Sequence, residues 1–232
     1  MSLLMYASAD MKNNKEFVLA AVKQDGYNLA NASDDLQNNK EVVLAAVEHL
    51  PDSLCWASAN LQNNKEVVSM AVGVRGVALA YASKDLKNDK EVVLMAVKED
   101  GYALMYASAD LKNDEEVVLA AVGMLGAALA YASSDLKNNK EVVLAAVKQD
   151  ASAFKYASEE LRSDEYLQSW SRLSKGKAMW RVLRSHFRWL GPISWWWVKT
   201  SVENAYSEGG AGRKREREEY TAEFDPSEVE DT

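Results

Sequence analysis

The stretch Tyr81-Ala-Ser-Lys-Asp-Leu-Lys-Asn-Asp-Lys90-Glu-Val-Val-Leu-Met-Ala-Val-Lys-Glu-Asp100-Gly-Tyr-Ala-Leu-Met105 decides the fold, because Tyr106-Ala-Ser then begins the same 25-residue pattern again. Aligned on this aromatic-Ala-Ser opening, six copies start at Tyr6, Asn31, Trp56, Tyr81, Tyr106 and Tyr131, without insertion or deletion. A degenerate seventh opens at Tyr156. A constant period of this length marks a stacked array, in which each unit buries its apolar face only against its neighbours.

Within the quoted unit, Asn88 or Asp89 supplies a helix N-cap, and the spacing from Asn88 to Glu91 suits a reciprocal capping box. Val92 to Val97 is read as helix rather than buried strand, because a cap and a glycine bound it and Ala96 lies within it. Gly101 is expected to stop the helix by taking a positive φ. A second, shorter helix should follow, with Leu104, Ala107, Ser108 and Leu111 on one stripe at i, i+3, i+4 and i+7. Its serine is expected to bond back to its own helix. Three departures stand out. Pro51 and Ala151 replace the glycine, Asn31 replaces the aromatic residue, and Gly73 and Gly123 fall inside the last turn of their helices. These predict a distorted second unit, shortened helices in units three and five, and a special surface at the irregular turns.

The motif at 88–97, followed by Lys-Glu-Asp-Gly-Tyr-Ala-Leu-Met-Tyr-Ala-Ser at 98–108, resembles the family called domain of unknown function 4116, over residues 1–165. The resemblance implies an all-helical repeat fold and brings no catalytic residue, cofactor or substrate.

Charge is segregated along the chain. Net charge is −8 overall, but residues 172–199 carry +7, residues 203–232 carry −6, and the repeat body carries −9. An acidic body argues against nucleic acid as a partner, since phosphates need counter-charges. The single cysteine, Cys55, excludes an internal disulfide framework, and the start of the chain has no basic and apolar leader pattern. Both favour an intracellular protein, cytoplasmic rather than nuclear. Arg213-Lys-Arg-Glu-Arg217 reads as a solvated charge run rather than an import signal.

At the N-terminal end Met1, Leu3, Leu4 and Met5 fall in mid-unit. They read either as a frayed or truncated start or as a face for end-to-end self-association. At the other end Tyr166, Trp170 and Leu173 form an apolar stripe, with Gln168, Ser169, Ser171 and Arg172 on the polar side, as a capping helix requires. Beyond it Lys177, Arg181, Arg184 and Arg188 share one face of a helical wheel, with Trp180 and Phe187 on a flank and Trp189 opposite. Trp195, Trp196 and Trp197 follow Gly191-Pro192. This composition suits docking on the array, a membrane surface, or a partner groove.

Chemistry is sparse. His49 and His186 lie in different regions, and the glycines form no phosphate-binding loop. Adjacent acids (Asp34-Asp35, Glu99-Asp100) follow the repeat instead of breaking it. No metal, cofactor or catalytic residue is expected. The sequence therefore predicts an all-α solenoid of helix-turn-helix units over 1–165, a helical C-terminal module over 166–206 and a disordered acidic tail over 207–232. Its expected role is a non-catalytic protein-interaction scaffold, with membrane attachment through 177–199 and self-association as alternatives.

Overall fold

The computed structural model describes residues 3–171. The chain divides into two compact units, Met1–Lys177 and Ala178–Thr232. The second lies outside the described residues, as do the expected 207–232 tail and Lys177, Trp180, Arg181, Arg184, Phe187, Arg188, Trp189, Trp195, Trp196 and Trp197.

The described residues are helical throughout, with no strand among them. Six ten-residue helices recur at the repeat period: α1 (Lys15–Gln24), α2 (Lys40–His49), α3 (Lys65–Val74), α4 (Lys90–Glu99), α5 (Glu115–Met124) and α6 (Lys140–Gln149). Each packs on the next. They form because every one opens on an Asn or Asp in extended backbone whose side chain accepts from the first-turn N–H groups, for example Asn64 Oδ1 from Val67 N–H at 3.2 Å. The cap in the quoted unit is Asp89, which places Glu91 one position too early for a capping box. Glu91 bonds to the preceding unit instead.

From α2 onward, four residues of each long helix are buried, such as Val92, Val93, Ala96 and Val97 in α4. With Leu29, Leu54, Leu79, Leu104 and Leu129 they make one continuous core along the stack. Side chains at i, i+1, i+4 and i+5 lie on adjoining flanks of a helix, so each helix is buried between two neighbours rather than on one seam. That is the physical reason the units cannot stand alone.

The expected second helix is two elements. A six-residue 3₁₀ segment, such as Gly101–Tyr106, leads through an extended residue to a single α-turn, Ala109–Lys112. Ser108 sits between them as an N-cap. Its Oγ accepts from Leu111 N–H at 3.2 Å, where a bond back to a preceding turn was expected. In the fourth unit the α-turn is itself a 3₁₀ turn, Leu86–Asn88. The stripe expected for a single helix is nonetheless buried at Leu104, Ala107 and Leu111.

Gly101 also plays another part than expected. It does not take the left-handed conformation, and the helix ends at Asp100 in extended backbone. A Cβ on Gly101 would lie 2.7 Å from the Ala121 carbonyl oxygen of the next unit, and one on Gly76 would lie 2.2 Å from that of Ala96. The glycine therefore permits close approach between units. Pro51 keeps the same six-residue 3₁₀ form (Pro51–Trp56), so the second unit is not distorted: proline suits the first helical position. Helices α3 and α5 keep their full ten residues despite Gly73 and Gly123, both of which face outward.

The end elements also depart from expectation. Leu4 is fully buried, and its N–H donates to Asn28 Oδ1 at 3.1 Å, so it is not part of a bare face. Met5 and Tyr6 are exposed. At the other end the helical register runs on through residues 165–171. There Leu167 and Ser171 face the core while Tyr166 faces out, because Leu167 rather than Tyr166 continues the buried valine column. Leu173 and Arg172 lie outside the described residues.

Candidate interaction surface

Three sets of bonds tie each unit to the next. The backbone N–H of Ser33, Ser58, Ser83, Ser108, Ser133 and Ser158 donates at 2.9 Å to the carbonyl of the residue 21 positions earlier (Lys12, Gln37, Gln62, Lys87, Lys112, Lys137). The same serine hydroxyls donate to Asn13, Asn38, Asn63, Asn88, Asn113 and Asn138 of the preceding unit. In three units the residue before the asparagine reaches back over its own 3₁₀ segment: Lys87 Nζ donates to the Ala80 carbonyl at 2.6 Å, Gln62 Nε2 to that of Leu54 at 3.2 Å and Gln37 Nε2 to that of Leu29 at 3.1 Å. Partial burial pushes the Lys87 ammonium below its ordinary pKa.

The third set is a ladder of ion pairs along the N-terminal ends of the long helices. Lys15 pairs with Glu41 and Lys40 with Glu66, each at 2.6 Å. Lys65 pairs with both Asp89 and Glu91, and Lys90 with both Asp114 and Glu116, all at 2.8 Å. Lys140 pairs with Asp164 at 2.7 Å. The hydrogen bonds from these lysines hold Glu41, Asp89, Asp114 and Asp164 below the usual carboxylate range. The carboxylates in turn raise Lys65 and Lys90. The fifth rung is broken, since α5 begins with Glu115 where every other long helix begins with lysine.

The 3₁₀ segments and the α-turns present different groups. One ring per unit stands at Trp56, Tyr81, Tyr106, Tyr131 and Tyr156, all half-buried. A second ring meets two of them: Tyr27 lies against Trp56 of the next 3₁₀ segment with centroids 5.1 Å apart, and Tyr102 against Tyr131 at 6.3 Å. Tyr27 and Tyr102 are 54% and 47% exposed, so each pair offers a ring face to solvent. Between the pairs Asp52 bonds to Arg75 and lies near Tyr81, whose hydroxyl is pushed up by partial burial and then by that carboxylate. Cys55 is likewise pushed up, by burial first and Asp52 second. Exposed acids recur in these turns, Asp10, Asp34, Asp35, Asp85, Asp110 and Asp135, with Lys12, Lys84, Lys112 and Lys137 beside them in sequence. No lysine or arginine among the described residues pairs with any of them.

The residues weighed for chemistry are dispersed. His49 ends α2, where its Nδ1 accepts from Gly26 N–H at 3.4 Å. Asp100 caps the next 3₁₀ segment by accepting from Tyr102 N–H at 2.9 Å. No group of three or more His, Cys, Asp or Glu side chains among the described residues is placed to hold a metal ion. No helix among them is long and apolar enough to cross a membrane.

The family model described as domain of unknown function (DUF4116) matches at residues 2–37, 39–87, 64–112, 89–126 and 114–162. The chain belongs to that family. Its matches are tandem and overlapping, as units sharing their interfaces would give. Neither the comparison with curated proteins nor that with solved structures yields a match.

The ring pairs and the ion-pair ladder were not read from the sequence. The signal for the ladder was present in the lysine that opens five of the six long helices and in its loss at Glu115. The pairing of Tyr27 with Trp56 had no local signal, since it depends on how one unit's 3₁₀ segment lies on the next.

Proposed function

We propose that this protein is a non-catalytic scaffold that binds another protein along the array. What supports the reading is the periodicity of the surface: a ring recurs in every unit but the second and an acid in every unit but the third, while the inter-unit bonds satisfy the polar groups beneath. A catalytic site concentrates unlike groups at one place. A repeated surface offers the same contact several times and gains affinity by summing them. The proposed scaffold acts inside the cell, a reading supported by the single, partly buried cysteine.

Affinity capture from the native cell tests this, with the full chain compared with a chain ending at Ser174. A specific protein retained by both supports a scaffold whose contact lies in the array. Retention of none by either would refute it. A second reading, attachment to a membrane surface, rests on the basic and Trp-rich composition of 177–199 alone. Liposome co-sedimentation separates the two, since equal pelleting of the two chains removes the membrane reading.

A further inference from the structure

We propose that the outward face of α3, α4 and α5 is an interface between two copies of this chain, related by a two-fold axis running along α4. This goes beyond the scaffold reading, which concerns a different protein, and does not depend on it.

The face is set apart by its apolar residues. On the six long helices the exposed large apolar side chains are Met70, Val74, Met95 and Met124, and all four fall on α3, α4 and α5. The ninth and tenth residues of α1, α2 and α6 are Lys23-Gln24, Glu48-His49 and Lys148-Gln149, the polar cover usual for an outward face. In α3 and α5 they are Gly73-Val74 and Gly123-Met124. Val74 and Met124 are 57% and 50% exposed. Beside each of them the glycine leaves a notch. A Cβ on Gly123 would meet nothing within 4 Å, and one on Gly73 would have the Met95 Sδ at 3.6 Å. Between the two, α4 carries Lys98-Glu99 at the same positions. Both are exposed, and neither makes an ion pair or a hydrogen bond among the described residues.

These groups complement themselves, as a two-fold contact requires: residue i meets residue j, and j meets i. Successive residues of a helix lie about 100° apart, so the ninth and tenth positions fall on different flanks of the outward face. An axis along α4 exchanges those flanks. It sets Lys98 opposite Glu99 of the second copy, and Glu99 opposite the Lys98 of that copy. Two ion pairs therefore form about the axis. The same rotation exchanges α3 with α5. Met124 then stands opposite Gly73 of the second copy, and Val74 opposite its Gly123, so each large apolar side chain meets a notch. One turn earlier Met95 comes against the half-buried Leu94 of the second copy. Methionine, unbranched and polarisable, adapts to such a fit.

Sedimentation-velocity ultracentrifugation of the full chain over a concentration series tests this. The parent is compared with Met124→Glu, Lys98→Glu, Glu99→Lys and the double exchange of Lys98→Glu with Glu99→Lys. A monomer–dimer equilibrium without larger species is predicted, since a two-fold contact closes on itself. Met124→Glu should weaken the dimer at least about tenfold by burying an unpaired carboxylate. Each single charge change sets like charges face to face twice and should also weaken it about tenfold. The double exchange restores opposite charges at both meetings and should return the dimer to near its parent strength. All of these side chains are exposed, so helical circular dichroism should match the parent chain. A monomer at every concentration would overturn the proposal and leave the face to a different protein. A dimer that none of the changes weakens would place the contact elsewhere, as at Met5 and Tyr6, and would overturn it too. So would a double exchange as weak as the single changes, because two-fold pairing requires the rescue. Capture of a partner from the cell is a separate result, so the scaffold reading stands or falls without this one.

Discussion

At the residue scale, the same amino acid does opposite things at two positions of one unit. Gly76 and Gly101 lie where a Cβ would meet the backbone of the next unit at 2.2 and 2.7 Å, whereas a Cβ on Gly123 meets nothing within 4 Å. Gly76→Ala should therefore cost about 1–3 kcal/mol through overpacking. Gly123→Ala should gain about 0.5–1 kcal/mol, since it replaces glycine in an exposed helix. Urea midpoints measure both, and equal signs would contradict the inter-unit contact. Ser53 makes a related case. Its hydroxyl is fully buried without a hydrogen-bond partner, where the equivalent residues are Ala78, Ala103, Ala128 and Ala153. Ser53→Ala should raise stability by about 1 kcal/mol by removing an unsatisfied group. Both glycine classes were visible in the sequence as departures from or agreements with the repeat. Their meaning was not, because a positive φ and a close approach leave the same one-letter trace.

At the scale of the element, the sequence told the long helix well and its partner poorly. Val92 to Val97 carries its own boundaries in Asp89 and the residues around Gly101, so its caps and length could be read directly. The Leu104–Leu111 stripe has helical spacing, yet it spans a 3₁₀ segment and an α-turn joined at Ser108. Periodicity reports which side chains are buried, not whether one hydrogen-bonded helix carries them. The serine bonds to the preceding unit through both N–H and hydroxyl, and those long-range bonds offset the break. The ion-pair ladder belongs to this scale too. Asp89 and Asp114 titrate below their ordinary values in the folded chain, because lysines donate to them. Their contribution is thus complete above the unfolded carboxylate pKa of about 3.9 and fades as pH falls through the lower folded values. Lys65 and Lys90 are raised, so theirs is complete below about 10.4 and fades above it. Lys90→Gln should flatten both limbs of thermal midpoint against pH. Glu115→Lys should close the missing rung, with a small gain at low salt that vanishes near 1 M, where the screening length is about 3 Å. A gain independent of salt would deny the rung.

For the whole molecule, the constant period makes a strong claim about modularity. Removal of residues 84–108 joins Ser83 to Ala109 in register, replacing one α-turn with its equivalent. The account predicts an intact helical spectrum and a lower unfolding midpoint, since one interface is lost from a row of similar ones. Loss of helicity would contradict it. The array, its period and its family were legible from the repeats alone. The ring pairs were not, since pairing between successive 3₁₀ segments is a property of the stack.

The account rests above all on the direct linkage of adjoining units, and amide hydrogen exchange reads that linkage one bond at a time. The N–H groups of Ser58, Ser83, Ser108 and Ser133 lie outside the long helices, and their only backbone acceptors belong to the preceding unit. They should be protected to the same degree as the amides of Val68, Val93 and Val118 inside α3, α4 and α5, because both open only when the stack opens. Serine amides that exchange at the rate of a free loop while the valines stay protected would show hairpins standing apart, and the stacked array would be wrong.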